Sequence, residues 1–286
     1  MRRLLVIMIS IGMCWLAACS PAATPESQPG KGELTATPAV TAISKGDGQM
    51  DRPEVEGGQM GAVTWDPAPD NVVIRVTNFG GLMPEFFARN YIPELLVYGD
   101  GRAILVNYND NGSRVVLQGQ MDATELTALL DRIEASGFYG WDERYENPLV
   151  MDASTKCIEV NLIDRQKQVC EYVEGAPEAF HSLFAYLEVG AGIEGSAFVP
   201  EQAFVTSFAI GTTESPISGM VLSWEPMDGL TMSDLQNGQW LEGDTLQQIW
   251  QMANAGPGGA VIQEGSTYYQ LSVQIPNVSL QEPPAQ

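Results

Sequence analysis

Three amphipathic helix patterns, separated by alternating strand patterns, constrain the fold of this chain most. The first follows Asp122 and Glu125, which are spaced as a capping box, and we expect it to end before Gly137. The second begins near Pro177, and we expect Asp244 to cap the third. Each has apolar residues at i, i+3, i+4 and i+7, which predicts one buried stripe. The stripes are Leu126, Leu129, Leu130 and Ile133; Phe180, Leu183, Phe184 and Leu187; Leu246, Ile249, Trp250 and Ala253.

The strand patterns are joined mostly by short turns, as in antiparallel hairpins. VVIRVTN, PELLVYGDG and RAILVNYNDNGSRVVLQG combine apolar runs with turns at residues 99–101 and 109–112. We therefore expect an α+β fold in which antiparallel sheet carries the three helices on one face. The glycine-rich connector 189–202 predicts a main α+β domain at 63–192 and a C-terminal α+β subdomain at 193–286 with a short disordered tail.

Two cysteines lie in a further predicted hairpin, CIEVNLIDRQKQVCEY. Ile158, Val160 and Leu162 alternate with polar residues, and the alternation resumes at Val169. A loop with an even number of residues places Cys157 and Cys170 on the same face of the hairpin, where they can form a disulfide. Two reduced cysteines are the alternative. The chain contains four cysteines, and the other two are Cys14 and Cys19.

Residues 19–62 differ in composition from the rest of the chain. The segment is rich in Pro, Thr, Ser, Gly and Ala and has almost no large apolar residue, so it cannot bury a core. We expect it to be a disordered tether. The net charge of the whole chain is −22, which disfavours nucleic acid as a partner and flat adsorption on anionic lipid.

The N-terminus combines a positive start with a short apolar run. Arg2 and Arg3 precede the run 4–16, which is shorter than the roughly 20 residues that a membrane-spanning helix needs. Leu16, Ala17, Ala18 and Cys19 then form the tetrapeptide LAAC. This arrangement resembles the type II signal peptide and lipobox of bacterial lipoproteins. The resemblance implies removal of residues 1–18, lipidation of Cys19, and attachment to the extracytoplasmic side of a bacterial membrane in the cell envelope.

A second resemblance covers residues 72–190. The Gly80-Gly81 loop, PELLVYGDGR, a capped helix running into GFYGWDERY, the DAST segment and the cysteine hairpin together resemble a group of uncharacterised exported and lipid-anchored bacterial proteins. The resemblance implies no activity and no site residues.

Several sites for catalysis or cofactors find no support in the sequence. His181 is the single histidine, which excludes sites that need two imidazoles, and we expect it to face solvent beside Glu178. There is no G-x-S-x-G motif, and no G-x-G-x-x-G or Walker-type loop follows a predicted strand, so we expect no catalytic residue, metal site or cofactor. The stretch NYNDNGSRVVLQ has the spacing of a calcium loop but amides in place of carboxylates, and it predicts a hairpin turn instead.

One acidic and aromatic stretch, GWDERYENPLVMDAST, is the predicted binding surface. Aromatic rings stack on sugars, and paired carboxylates can act as acid and base in glycan hydrolysis. A solvated loop in an acidic protein is the alternative explanation. The candidate residues are Trp141, Asp142, Glu143, Tyr145, Glu146 and Asp152.

Two hypotheses of function follow from these observations. The sequence favours a non-catalytic, lipid-anchored binding or structural module whose protein or glycan partner it does not identify. The alternative is an exported hydrolase that acts on glycan or peptide through paired carboxylates. Two carboxyl groups that face each other across a cleft, roughly 5–9 Å apart for glycan hydrolysis, with at least one strongly raised pKa, would favour the enzyme, whereas scattered surface acids would favour the binding module.

Overall fold

The computed structural model describes residues 63–147, 149–214 and 219–286, which all belong to one compact unit of the chain. The expected signal peptide, residues 1–18, lies outside the described residues. The expected lipidated Cys19 and the tether that continues to residue 62 also lie outside them.

The described residues have an α+β fold with two mostly antiparallel sheets and four α-helices, which confirms the predicted class. The helices are α1 (Glu85–Arg89), α2 (Ala123–Ala135), α3 (Glu178–Glu188) and α4 (Gly243–Ala253). Helix α1 was not predicted, because its five residues are too few for an apolar stripe to recur. No helix within the described part of the chain is both long and apolar enough to cross a bilayer.

The first sheet has eight strands in the order β5-β7-β6-β1-β2-β3-β4-β8. All neighbours are antiparallel except β5 and β7. The strands are β1 (Val72–Gly80), β2 (Leu95–Tyr98), β3 (Arg102–Tyr108), β4 (Arg114–Gln120), β5 (Arg144–Glu146), β6 (Ser154–Asn161), β7 (Gln166–Tyr172) and β8 (Gly195–Ala197).

The second sheet has five strands in the order β10-β12-β13-β9-β11. Strands β10 and β12 are parallel, and the other neighbours are antiparallel. The strands are β9 (Gln202–Thr212), β10 (Val221–Ser223), β11 (Gln239–Glu242), β12 (Val261–Glu264) and β13 (Thr267–Gln274).

The helix starts agree with the sequence for α2 and differ for α4. The Asp122 side chain accepts the amides of Thr124 and Glu125, and the Glu125 carboxylate accepts the Asp122 amide, so the capping box is confirmed. Helix α4 is capped by position 242 without a side-chain hydrogen bond. The prediction that Asp244 caps α4 is wrong, because Asp244 lies inside the first turn, where it interacts only with the helix dipole.

Two hydrophobic cores cover the two faces of the first sheet at its centre. The helix-side core contains the stripes of α2 and α3, and the inter-sheet core contains the stripe of α4 together with strands of the second sheet. In β2, Leu95 and Val97 belong to the helix-side core, while Leu96 and Tyr98 belong to the inter-sheet core. The expectation of three helices on one face is therefore corrected: two helices share one core, and the third contributes to the other.

Strands β5, β6 and β7 form a margin of the first sheet that is buried on one face. Ile158 and Val169 pack into the helix-side core. On the opposite face Cys157 pairs directly with Cys170 across the hairpin and forms the disulfide, which confirms that prediction. The four-residue loop that the structure places between β6 and β7 supplies the even count that the pairing requires.

Candidate functional site

Two aromatic side chains of the predicted binding surface serve local packing. Trp141 packs edge-on against Phe138 and Phe180 at the boundary of the helix-side core, and its carbonyl accepts a hydrogen bond from Lys167. The Tyr145 hydroxyl accepts the backbone amide that follows Trp141. Both rings are half-buried, so neither offers a wide open face for stacking on a sugar.

The four acidic side chains of that surface are exposed, and two of them line the same cavity. Glu146 forms an ion pair with Arg144 and, with Asp152, lines an open cavity of about 390 Å³. Asp142 and Glu143 lie outside the lining of this cavity. The stretch therefore does not form a single cleft that all six candidates line.

His181 faces solvent in part, with 38% of its side chain exposed, and its imidazole also contacts the buried carboxylate of Glu171. Its Nε2 lies 3.4 Å from Glu171 Oε1, and the Glu171 side chain is only 1% exposed. The same carboxylate oxygen accepts the amide of Ala176. The pair therefore joins strand β7 to the start of α3 and lines none of the cavities described here.

A cavity of about 560 Å³ lies where the ends of β1, β2, β3 and β4 meet α1, α3 and the loop after α4. We call it the seam cavity, because its walls combine strand ends of the first sheet with α1, α3 and the loop after α4. The 109–112 turn lies tightly against the loop after α4: a Cβ on Gly112 would be 2.8 Å from Pro257, and the φ of Gly112 is +77°. The polar residues that line the seam cavity are Asn78, Asn90, Tyr91, Glu94, Tyr108, Arg114 and Glu188, and we call them its polar wall. The apolar wall includes Leu82, Met83, Pro84 and Phe87.

The polar wall contains a hydrogen-bonded pair formed by a phenol and a carboxyl group. The Tyr91 hydroxyl donates to Glu94 Oε2 at 2.5 Å and accepts the backbone amide of Asn78 at 2.7 Å. Burial raises the pKa of Glu94 to about 7; the hydrogen bond from Tyr91 opposes this shift and the charge of Glu188 adds to it. The Glu94 carboxyl is thus close to half-protonated at neutral pH.

Arg114 brings a positive charge into the same cavity. Its guanidinium donates to the backbone carbonyl and side-chain oxygen of Asn90 and to the side-chain oxygen of Asn254, and it lies 5.6 Å from the centre of the Trp250 ring. Among the described residues, no carboxylate lies within ion-pair distance of it. Burial lowers the pKa of Arg114 to about 10, so the group stays charged at neutral pH.

Asn78 presents an acceptor that lacks a partner in the described structure. Its side-chain oxygen Oδ1 is buried and receives no hydrogen bond from any described residue. A buried acceptor without a donor raises the free energy of the folded state by roughly 1–3 kcal/mol. A ligand that donates a hydrogen bond here would recover that energy.

Another cavity of similar size has fewer ionisable side chains in its walls. About 540 Å³ lies between residues 63–67 and the start of α2, and its only ionisable side chains are the exposed Asp100 and Asp122. Asp122 is already engaged as the helix cap. The seam cavity is the better candidate site because it combines enclosed charge, a shifted pKa and an unpartnered acceptor.

Sequence reasoning missed the seam cavity because its polar residues come from distant parts of the chain. The available signal was the position of two charged residues next to buried strand residues: Glu94 immediately precedes β2, and Arg114 is the first residue of β4. In residues 63–147, 149–214 and 219–286, no group of three or more His, Cys, Asp or Glu side chains is arranged to hold a metal ion. Comparisons with protein-family models, curated proteins and solved structures found no match to this chain.

Proposed function

We propose that the protein is a lipid-anchored binding protein on the extracytoplasmic side of a bacterial membrane, and that the seam cavity is its ligand site. The LAAC sequence and the short apolar leader support the anchor. The seam cavity supports ligand binding, and it is the observation on which the proposal depends.

The walls of the seam cavity have the division that small-molecule sites usually show. Such sites occupy roughly 300–1,000 Å³ and combine apolar surface with a few polar groups in fixed positions. Here Arg114 is held by three hydrogen bonds and Glu94 by one, so neither has to be ordered when a ligand binds. Preformed polar groups of this kind favour binding.

The anchor is tested by metabolic labelling with an alkyne fatty acid. We expect label on the wild-type protein and on Cys14→Ser, and loss of the label together with release from the membrane fraction for Cys19→Ser. Because both cysteines lie in the N-terminal segment, the pair separates lipidation from general damage to the leader. A labelled Cys19→Ser would contradict the proposed anchor.

The binding site is tested with neighbouring phenylalanines of α1. Phe87 lines the seam cavity, whereas Phe86, whose ring contacts those of both Phe87 and Phe208, does not line it. In a thermal-shift screen, small molecules that raise the melting temperature of the wild-type protein should give a smaller rise with Phe87→Ala and a similar rise with Phe86→Ala. Hits that are insensitive to Phe87→Ala would place binding elsewhere.

A second candidate function is hydrolysis of glycan or peptide. The observation that favours it is the presence of Glu94 and Glu188 in one cavity, with the pKa of Glu94 raised to about 7, as a general acid would require. Assays of the purified protein with peptidoglycan fragments and peptides test it. A hydrolase should lose turnover in Glu94→Gln while still binding substrate, whereas a binding protein releases no product in either form.

A further inference from the structure

We infer that the ligand of the seam cavity is a small zwitterion of the amino-acid type, with its carboxylate on Arg114, its ammonium group at Asn78 and Glu94, and an apolar side chain against the apolar lining residues. This inference rests on the proposed binding function and specifies the chemistry of the ligand.

The carboxylate is assigned by Arg114. A guanidinium has five N–H donors, and three hydrogen bonds to described residues are seen, all to uncharged oxygens. The charge of Glu94 acts on Arg114 from a distance and favours its protonated form, but no described carboxylate lies within ion-pair distance of the guanidinium. A ligand carboxylate can supply that direct pairing and accept hydrogen bonds from the remaining donors. The guanidinium is already fixed in place by Asn90 and Asn254, so little ordering is needed when the ligand binds.

The ammonium group is assigned by two acceptors that line the same cavity, Asn78 Oδ1 and the Glu94 carboxyl group. Asn78 Oδ1 is buried and has no donor among the described residues, and Glu94 offers a carboxyl group whose charge no described cation pairs within ion-pair distance. The Tyr91 hydroxyl donates its single proton to Glu94, so it cannot also donate a hydrogen bond to Asn78. A ligand ammonium has three donors, which is enough for both acceptors.

The apolar wall assigns the rest of the ligand. Leu82, Met83 and Phe87 face the same cavity, and the volume of about 560 Å³ is sufficient for one amino acid with a large side chain. Leu82 is 90% exposed, so a ligand that covers it would remove apolar surface from water.

The net charge of the protein favours a zwitterion over a simple organic acid. At −22 the chain repels free anions over long range, whereas a ligand without net charge is not repelled. A cationic amine would be attracted but would leave Arg114 without an anion. A zwitterion is the class of ligand that matches both the charged groups of the cavity and the negative net charge of the protein.

The test uses calorimetric titration of the detergent-solubilised, mature full-length protein with three probes. L-phenylalanine carries both charges, N-acetyl-L-phenylalanine lacks the cation, and phenethylamine lacks the carboxylate. We expect L-phenylalanine to bind and each of the other probes to bind at least about tenfold more weakly, since a charge-assisted hydrogen bond contributes more than the 1.4 kcal/mol that corresponds to tenfold. Equal binding of either one-charge probe, or no binding of L-phenylalanine, overturns the inference.

Two variants localise the effect. Arg114→Met should abolish binding of L-phenylalanine, and because Arg114 also joins Asn90 to Asn254, its folding must be checked by thermal unfolding. Asn78→Leu removes an acceptor that has no partner in the unliganded protein, so it should leave the melting temperature unchanged or higher while weakening L-phenylalanine about tenfold. Unaltered affinity in Asn78→Leu overturns the placement of the ammonium group.

Failure of this inference can be distinguished from failure of the proposed function. If L-phenylalanine does not bind but other small molecules stabilise the protein in a Phe87-dependent manner, the cavity binds a ligand of another class. If no molecule gives a Phe87-dependent shift, the binding function itself is rejected.

Discussion

The centre and the margin of the eight-stranded sheet are stabilised in different ways. At the centre, β2 and β3 are buried on both faces, by the helix-side core and by the inter-sheet core. At the margin, β6 and β7 are buried on one face, and the Cys157–Cys170 disulfide crosses the exposed face. The comparison shows that packing stabilises the middle of the sheet, whereas a covalent bond supplements the smaller burial at its margin.

The polar groups of the seam cavity are placed at the end of the doubly buried centre. Glu94 immediately precedes β2, and Arg114 begins β4. Their surroundings are fixed by the two cores, which explains how charged groups can be held away from water in defined positions. Single substitutions at the centre and at the margin should therefore change stability by different amounts.

Truncation at the centre should have the largest effect. Ile104 is fully buried in the inter-sheet core, so Ile104→Ala should lower the free energy of unfolding by about 2–5 kcal/mol through lost burial and a residual cavity. The matched margin variant Gln168→Ala, on the exposed face of β7, should change it by less than about 0.5 kcal/mol. Urea unfolding measures both, and similar values for the two variants would refute the contrast.

Removal of the disulfide should be the largest single effect at the margin. The bond closes a loop with a sequence separation of 13, and the double variant Cys157→Ser/Cys170→Ser should lose about 3 kcal/mol of stability in the chain-entropy model. Differential scanning calorimetry under non-reducing conditions measures this. Thiol labelling of the denatured, mature protein should find neither cysteine free; detection of two reactive thiols would be incompatible with the bond.

The buried carboxyl group at the end of the centre should make stability depend on pH. Because the folded-state pKa of Glu94 is raised from 4.5 to about 7, its favourable contribution is complete below pH 4.5 and is lost as the pH rises through 7. Glu94→Gln should therefore be more stable than the wild type at pH 8, on the order of 2 kcal/mol, and should show no such gain at pH 4.

Unfolding by urea at several pH values tests this dependence. Glu201→Gln, a change at an exposed position, serves as the control and should follow the wild-type profile. The assigned environment of Glu94 would have to be abandoned if Glu94→Gln and the wild type kept a constant difference from pH 4 to pH 8.

Substitutions at the helix starts should change the free energy of unfolding least, and they should affect α2 and α4 differently. Asp122→Ala removes the capping box of α2 and should cost about 1 kcal/mol, whereas Asp244→Ala in α4 removes only a dipole interaction and should cost a few tenths. Thermal unfolding of the two variants compares them. Equal losses would mean that Asp244 also caps its helix in solution.

Local features of the fold could be predicted from the sequence. The stripes of α2, α3 and α4, the capping box at Asp122, the turn at 109–112 and the Cys157–Cys170 hairpin all depend on residues within about one or two turns or strands of each other. Their periodicity and turn chemistry are visible in a single sequence. These predictions were confirmed by the structure.

Long-range features could not be predicted. Strand β9 pairs with β13, which follows it by about sixty residues, and no local pattern specifies that partner. The seam cavity unites Asn78, Glu94, Arg114 and Glu188 only after the first sheet and α3 have assembled. The acidic stretch around Trp141 is prominent in the sequence because its residues are adjacent, but adjacency alone does not produce a cleft.

The position of β13 has a consequence for how the protein matures. Although β13 is the last strand in the chain, it lies in the middle of the second sheet, between β12 and β9. Until the residues from Thr267 onward have left the ribosome, β9 and β12 have no common neighbour and the inter-sheet core lacks its middle strand. The second sheet and the inter-sheet core can therefore be completed only after β13 has been synthesised.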